Sequence, residues 1–397
     1  MKNQLTLLLC LTISFASAQS MSRDQAIETA LKNNQMIKSA EYQMEAFREL
    51  KKTGSDVGKL SAVWMHGQYN SVNQDNNFTL TQTLPFPTAI GAQVRLGKEQ
   101  LIGSEKNLAL TQNNLVFEVK SAYEQLLYQS ALKNLLNSQD SLYSDFARAS
   151  GLRYKTGESN LLEKMTAETQ SLEVRNTMRM NDADIQISQT KLQALLKADQ
   201  LVVATEVLSR LSPPEVTSYQ NNPQLNYLKQ QVTISHQFKK VQSNKIMPDL
   251  LLGYYNQTLI GIQNINGQDQ YFGSDKHFQG FQLGLGIPLW FRPHVARSKA
   301  AAYEEEASRK TAEYFETSLN GSVIQALQEF DKNRASLEYY ETSALRNADL
   351  ILYQGRKAYQ GGEIAYIEYL QSLRSALAIK SNYLTALTQY NHSIIKL

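Results

Sequence analysis

The chain has 397 residues, of which 42% are hydrophobic and 19% charged, and its formal net charge at pH 7 is +3. A charge this close to neutral, without any run of five or more basic residues, argues against nucleic acid as a partner. The length alone would allow two or three domains.

Residues 1–18 predict a secretory signal peptide. Lys2 precedes an apolar run over residues 5–15, and residues 16–18 supply the small side chains of a cleavage site, so we place the cut after residue 18. The only cysteine, Cys10, lies in this segment. It is either a lipid attachment site or an apolar filler, and the leucines before it favour the filler. The mature chain then has no thiol and no disulfide. No later apolar run reaches the ~18 residues of a transmembrane helix.

Beyond the signal peptide, helical and strand periodicities alternate twice along the chain. Apolar residues at helical spacing are separated by Gln, Ser, Asn, Lys and Glu, which predicts long helices packed side by side. The predicted segments are helical 19–60, a β-hairpin over 61–85, helical 86–200 with a turn near 154–163, a linker over 201–222, helical 223–248, a second β-hairpin over 249–291, and helical 292–397 with a turn near 359–368.

The two predicted turns share one sequence pattern. YKTGESNLLE begins at Tyr154 and YQGGEIAYIE begins at Tyr359, and both have the pattern Tyr-x-x-Gly-Glu-x-x-x-apolar-apolar-Glu. The offset between other matching pairs is 188 residues before the hairpins and 203 residues after the first strand of each hairpin. We attribute this difference to an insertion in the second copy, the polar stretch 261–277, which is predicted to be a loop. The chain is therefore an internal duplication.

The predicted strands alternate apolar and polar residues. In the second hairpin, Phe281, Leu283 and Leu285 are predicted to point one way, and Gln282 and Gly284 the other. This period fits either a half-buried strand of a soluble sheet or a transmembrane barrel strand of ~9–11 residues. Prolines and aromatic residues flank the strands, as at a membrane–water boundary, and favour the barrel. The flanking residues are Pro85, Pro87, Pro248, Pro288, Trp290 and Pro293.

Four strands cannot close a membrane barrel, and open strand edges are not tolerated in lipid. A membrane-embedded chain of this kind must therefore oligomerise. Physical reasoning alone leaves two copies with eight strands and three copies with twelve strands both open.

This duplicated helix–hairpin–helix plan resembles the TolC family of outer-membrane efflux proteins. The resemblance rests on that plan, on LTQTLPFPT at 80–88 and on the two Tyr-x-x-Gly turns, and it covers residues 22–397. It implies a mainly α fold with a small membrane β part, in which a homotrimer forms an α-helical tunnel and a 12-stranded β-barrel with four strands from each protomer. It also implies a location in the outer membrane, reaching into the periplasm.

The resemblance further implies partners and functional residues. Family members work with a periplasmic adaptor (membrane fusion protein) and an inner-membrane pump, here of the RND class, and TLPFPTAIGAQ resembles the outer-membrane factors of copper/silver and cobalt–zinc–cadmium exporters. Glu163 and Glu368 match the position of an acid that holds or lines the periplasmic mouth; the alternative is that each only begins a helix. The expected residues of the turns, where the adaptor docks, are Tyr154, Gly157, Glu158, Tyr359, Gly362 and Glu363.

No catalytic or cofactor-binding pattern accompanies these features. The five histidines are scattered and form no ligand-spaced pair, so we expect neither an enzyme nor a metal site. Alternatives are an outer-membrane factor for drug efflux or type I protein secretion, a periplasmic coiled-coil adaptor, and a soluble secreted helical protein. An adaptor would need a compact β domain of many strands, whereas this sequence has four in two separated hairpins.

Overall fold

The structure is a computed structural model that describes residues 19–213 and 219–397. The predicted signal peptide, with Cys10, lies outside the described residues. The chain forms two compact units. The first takes in the described residues of Met1–Lys38, Thr111–Tyr219 and Leu319–Leu397, and the second takes in Ser39–Leu110 and Gln220–Ser318.

The described residues are mainly helical, with a smaller sheet part, as the sequence predicts. The helices are α1 (Arg23–Asn33), α2 (Gln35–Leu50), α3 (Pro87–Lys155), α4 (Leu161–Leu196), α5 (Pro223–Asn244), α6 (Phe291–Tyr339), α7 (Leu345–Gln360) and α8 (Tyr366–Lys396). The strands are β1 (Gln19–Met21), β2 (Ser61–Gly67), β3 (Asp75–Leu84), β4 (Val202–Ala204), β5 (Asp249–Thr258), β6 (Gly261–Ile265), β7 (Gln268–Phe272) and β8 (His277–Gly286).

The duplication is visible in how equivalent helices begin. The side chain of Asn34 accepts a hydrogen bond from the backbone N–H of Met36 at 2.8 Å, at the start of α2. The side chain of Asn222, 188 residues later, accepts from the backbone N–H groups of Gln224 and Leu225 at the start of α5. The same residue type therefore satisfies the otherwise unpaired N–H groups at both helix starts.

Four strands of the second unit form one antiparallel sheet in the order β2-β3-β5-β8. Residues paired across neighbouring strands point to the same face, so the register assigns each side chain to a face. One face carries Ala62, Trp64, Phe78, Leu80, Leu84, Leu250, Leu252, Tyr254, Phe281, Leu283 and Leu285, together with the polar residues His66, Gln82, Asn256 and Gln279. The opposite face carries Ser61, Val63, Met65, Thr79, Thr81, Thr83, Leu251, Gly253, Tyr255, Gly280, Gln282 and Gly284.

The prediction that 261–277 is a loop is wrong. The stretch contains β6 and β7, which pair antiparallel with Ile265 opposite Gln268. Asn266 and Gly267 between them both have positive φ, 56° and 84°. These angles fit the two-residue Asn-Gly hairpin turn whose twist matches that of the strands it joins.

The first unit also contains a small parallel sheet that was not predicted from the sequence. Strand β1, before α1, pairs with β4, inside the predicted linker 201–222. Each strand has only three residues, too few for a period to be recognised.

A buried polar network holds this part of the first unit. Asn391 of α8 donates to the carboxylate of Glu124 and to the carbonyl of Ser209, and accepts from the backbone N–H of Leu211. Arg23 donates to the second oxygen of Glu124 at 3.2 Å. Burial raises the pKa of Glu124, against the lowering effects of Asn391 and Arg23. The network thus ties α1, α3, α8 and the segment after β4 together.

The apolar core nearest the two turns is formed by α3, α4 and α8. The aromatic rings of Tyr143, Phe146 and Tyr369 pack among leucines there. The buried members are Tyr143, Phe146, Ala167, Val174, Tyr369, Leu370, Leu373 and Leu377. Across residues 19–213 and 219–397, none of the helices has the length and apolarity needed to cross a bilayer.

Candidate functional site

The two turns that carry the repeated sequence pattern have the same backbone geometry. We refer to residues 154–163, which join α3 to α4, as the first turn, and to residues 359–368, which join α7 to α8, as the second turn. The backbone N–H of Gly157 donates to the carbonyl of Tyr154 at 3.2 Å, and Gly362 donates to Tyr359 at the same distance. A longer-range bond joins the N–H of the next residue to a carbonyl five residues earlier, at 2.8 Å in both turns. This pair of bonds is the Schellman motif that ends a helix.

Each motif requires its glycine at the residue after the C-cap, two residues beyond the last residue of the helix. Gly157 has φ of 79° and Gly362 has φ of 73°, in the left-handed region that other residue types enter at a cost. A Cβ atom at either position would have no other heavy atom within 4 Å. The requirement is therefore conformational and not steric.

The acids that end the two patterns have different surroundings. Glu163 is 4% exposed, and its carboxylate accepts a hydrogen bond from the hydroxyl of Tyr359 at 3.0 Å. Arg153 and Ser150 also donate to the same oxygen, each at 3.4 Å. Because Tyr359 belongs to the second turn, this carboxylate joins the two turns within one chain.

Aromatic packing fixes the Tyr359 side chain. Its ring stacks on that of Tyr369, with centroids 4.6 Å apart and planes 4° apart, and the edge of Phe146 meets both rings. Arg153 lies over the ring of Tyr359 and donates to its hydroxyl at 3.2 Å.

The hydroxyl of Tyr359 and the guanidinium of Arg153 keep their ordinary protonation states at neutral pH. Burial raises the pKa of Tyr359, and the hydrogen bond to Tyr359 raises the pKa of Arg153. The tyrosine is then a neutral donor, and the arginine is a cation beside the Glu163 carboxylate. We name Ser150, Arg153, Glu163 and Tyr359 the turn cluster.

Glu368 lies in a more open setting. Its side chain is exposed and accepts a hydrogen bond from the backbone N–H of Ala365 at 2.9 Å, at the start of α8. Glu163 also lies in the first turn of its helix, where the side chain of Asn160 caps the backbone N–H of Glu163. Both acids thus occupy positions that the helix dipole favours. A role for either of them in the lumen stays a prediction.

The other predicted turn residues are accessible. Tyr154, Gly157, Glu158, Gly362 and Glu363 are all exposed. Their predicted contact with an adaptor stays a prediction.

The predicted flanking residues lie where strands and helices meet. Pro87 begins α3, Pro293 is the third residue of α6, and Pro248 directly precedes β5. Proline fits the first turn of α3 and of α6 because no intrahelical hydrogen bond there uses the backbone N–H that proline lacks. Pro85 follows β3, and Pro288 and Trp290 lie between β8 and α6, with 84% of Trp290 exposed.

The apolar face of the sheet is open along β8. Phe281 and Leu283 are each 84% exposed, and Leu285 is 62% exposed. Exposed apolar side chains contiguous over several strands mark a surface that meets lipid or another protein. Among the described residues, no three His, Cys, Asp or Glu side chains are grouped so that they could hold a metal ion.

Sequence reasoning identified only part of the turn cluster. It indicated Glu163 and Tyr359 as candidate residues, but it gave no role to Ser150 or to the neighbouring rings of Phe146 and Tyr369. The spacing of residues 146, 150 and 153 places them on one face of α3 and was the available signal. Spacing within one helix does not identify Tyr359, 196 residues away from Glu163, as the partner.

No protein-family model matches the chain, and no curated protein matches it. Solved structures do match its fold. CusC, described in connection with folding and transmembrane channel formation, is 17% identical, with a TM-score of 0.76 over 95% of this chain and 91% of that one. A membrane protein from Pseudomonas aeruginosa is 16% identical, with a TM-score of 0.78 over 94% and 92%. The outer membrane protein VceC from Vibrio cholerae is 16% identical, with a TM-score of 0.73 over 94% of each chain.

Proposed function

We propose that this chain, which has the fold of the TolC-family outer-membrane channels, is one protomer of a homotrimeric channel that crosses the outer membrane and extends into the periplasm. The observation that carries the proposal is the four-stranded sheet, which has an open apolar face and two unpaired edge strands, in a chain of this fold.

The edges of the sheet argue for oligomerisation. In the order β2-β3-β5-β8, strands β2 and β8 each lack a neighbouring strand on one side among the residues that the structure describes. Unpaired backbone groups are costly in lipid, so a membrane sheet must close on itself. Neighbouring strands are antiparallel throughout, so β8 of one chain can pair antiparallel with β2 of the next. Three chains give twelve strands, and trimers are what the resemblance to the TolC family implies.

The composition of the two faces argues for lipid outside and water inside. Leucine and aromatic side chains predominate on one face, which also carries Gln82 and Gln279, whereas threonine and glycine recur on the other. Barrels in the outer membrane alternate in this way along every strand. The exposed Trp290 and the prolines at the strand ends suit the boundary of the bilayer.

In this proposal the two turns form the periplasmic mouth. The turn cluster holds the mouth closed from within each chain, because it ties the first turn to the second through a buried carboxylate. The exposed residues Tyr154, Glu158 and Glu363 are then available to a periplasmic adaptor. The channel itself is passive, and an inner-membrane pump of the RND class supplies the energy.

We propose heavy-metal cations as the substrate class, on the resemblance of TLPFPTAIGAQ to the outer-membrane factors of metal exporters. Drug efflux and type I protein secretion are the alternatives. Deleting the gene in its native host distinguishes them: we expect sensitivity to copper, silver, cobalt, zinc or cadmium. Sensitivity to drugs alone, or loss of a secreted protein alone, would contradict the metal assignment.

The channel itself is tested with protein extracted from outer membranes in mild detergent. Unboiled samples are expected to migrate as trimers and to collapse to monomers on heating. The unboiled material is expected to produce discrete conductance steps in planar bilayers. A monomer that stays in solution without detergent would contradict the proposal.

A further inference from the structure

The predicted cut after residue 18 makes Gln19 the first residue of the mature chain. An N-terminal glutamine has a reaction open to it that an internal glutamine lacks, because its α-amino group is not part of a peptide bond. The side chain has the length that brings its amide carbon onto that nitrogen, which closes a ring of the same size as proline's. The surroundings of Gln19 in the fold therefore bear on the chemical state of the N-terminus.

The backbone of this N-terminus is held in place. Strand β1 begins at Gln19, and the Gln19 nitrogen donates a hydrogen bond to the carbonyl of Leu201 at 2.9 Å. At the other end of the strand Met21 is 5% exposed, and its carbonyl accepts from the hydroxyl of Tyr123 at 2.9 Å. The first residues of a chain are usually ordered only where such contacts tie them down. The mature chain therefore begins inside a small sheet, and its first nitrogen takes part in that sheet.

The side chain of Gln19 is not held in the same way. It is exposed, as is the next residue, Ser20. It forms no hydrogen bond to any other described residue. Neither burial nor a hydrogen bond within the described part of the chain thus keeps its amide carbon away from the terminal nitrogen.

The electrostatic setting favours an uncharged terminus. A free α-amino group is mostly cationic at neutral pH. Gln19 lies only a few residues before α1, whose N-terminal end carries a partial positive charge. Arg23, the first residue of α1, is itself a cation and is paired with Glu124 and Glu206. A charged terminus would add a further positive charge to this region, and a neutral one would not.

We propose that Gln19 of the mature chain is converted to pyroglutamate. The α-amino nitrogen, in its neutral form, attacks the side-chain amide carbon Cδ. A bond from that nitrogen to Cδ forms, and the bond from Cδ to the side-chain nitrogen breaks. The departing nitrogen takes a proton from the attacking one and leaves as ammonia. Nothing is oxidised or reduced, and no co-reactant is consumed.

The product is compatible with the sheet. The lactam nitrogen keeps one hydrogen, unlike the nitrogen of a proline, so a donor remains for the carbonyl of Leu201. The modification removes the terminal positive charge. It also removes the free amine that aminopeptidases require, which protects β1 from trimming. The reaction must follow removal of the signal peptide, because the α-amino group does not exist before that step.

Mass spectrometry of the N-terminal peptide tests the proposal. The full chain is produced with its own signal peptide in the native host, outer membranes are isolated, and all free amines are dimethylated before digestion. Cleavage after glutamate then releases residues 19–28, which include Gln25 as an internal glutamine. We expect a peptide that begins at residue 19, carries no label on its terminal nitrogen and is lighter than the glutamine form by one molecule of ammonia. Fragment masses are expected to place this loss on Gln19 and leave Gln25 at full mass.

Labelling before digestion separates a modification made in the cell from one made in the tube, because a dimethylated amine can no longer cyclise. A peptide that carries a labelled Gln19 at full mass would overturn the proposal. A mature chain that begins at any other residue would overturn it as well.

The matched control is Gln19→Asn. Asparagine keeps the amide but is shorter by one methylene group, so its amide carbon could reach the nitrogen only in a smaller, strained ring. The terminus of this variant is expected to be labelled and to keep its full mass. The same loss of ammonia in Gln19→Asn would show that the loss does not come from a lactam and would overturn the assignment. The result does not bear on the channel of the proposed function, which these measurements leave untested.

Discussion

Tyr359→Phe removes one hydroxyl from the turn cluster and leaves the ring in place. The stack on Tyr369, with centroids 4.6 Å apart, does not involve the hydroxyl and is retained. What is lost is a donor to Glu163, whose carboxylate is 4% exposed and so is poorly placed to take water instead. The substitution therefore removes one hydrogen bond to a buried charge, together with the bond that the hydroxyl accepts from Arg153.

A hydrogen bond to a charged group contributes ~1.5–3 kcal/mol. We take the lower end of this range because Arg153 and Ser150 remain 3.4 Å from the same oxygen. A loss of ~1.5 kcal/mol changes the balance between tied and released turns about tenfold in each protomer.

The assay is the conductance of the closed channel in a planar bilayer, where Tyr359→Phe is expected to increase the time spent in conducting states. The control is Tyr353→Phe on the exposed side of α7, where the hydroxyl makes no hydrogen bond to any described residue. If Tyr359→Phe and Tyr353→Phe both conduct like the unmodified protein, the buried carboxylate does not hold the mouth closed.

Three further predictions concern the sheet and the buried network. Leu285→Arg on the apolar face should destabilise the barrel by up to ~2–4 kcal/mol at the bilayer midplane and so lower the yield of heat-sensitive trimer. Gln282→Arg on the other face should lower the yield less. Equal yields would contradict the assignment of faces. Gly280→Ala should also lower the yield of trimer, because the new Cβ would lie 2.6 Å from a tyrosine hydroxyl. Gly286→Ala, whose new Cβ would lie 3.6 Å from its nearest atom, should leave the yield unchanged. A normal yield of Gly280→Ala would show that the tyrosine moves aside. Burial raises the pKa of Glu124, so the folded state binds this proton more tightly than the unfolded state. The contribution of Glu124 to stability should therefore fall as the pH rises from the ordinary carboxyl range through the raised pKa. Thermal unfolding of Glu124→Gln should lack this pH dependence, and an unchanged dependence would exclude Glu124 as its source.

The parts of the fold that repeat were predictable from the sequence. Strand alternation around Phe281 and Leu283 gives the same faces as the observed register. The Tyr-x-x-Gly pattern indicated two turns, and Gly157 and Gly362 have the left-handed conformation that their positions after the C-caps suggest. Local rules determine both features, because neighbouring residues supply the whole signal.

The hairpin of β6 and β7 was missed although its turn has a local signal. Asn266-Gly267 is the dipeptide most typical of a two-residue hairpin. The flanking residues are polar and lack clear alternation, so composition suggested a loop. Turn chemistry was the better guide here than hydrophobicity.

The contacts made over long distances in the sequence were not predictable. Glu163 and Tyr359 are 196 residues apart, and Glu124 and Asn391 are 267 residues apart. Periodicity identifies the face of a helix but not the residue that packs against it. The burial of Glu163 was apparent only once the packing of α3, α4, α7 and α8 was known.

Closure of the barrel between chains is the central claim, and a disulfide between the two edge strands tests it most directly. Val63 of β2 and Gln282, Gly284 and Gly286 of β8 all lie on the less apolar face of the sheet. Val63→Cys is combined in turn with a cysteine at each β8 position, so that each possible register is tried. In one register, oxidation is expected to give a ladder of covalent species on a denaturing gel that ends at three chains. A ladder that continues beyond three chains, or the absence of any interchain bond in all registers, would contradict a barrel closed by three copies.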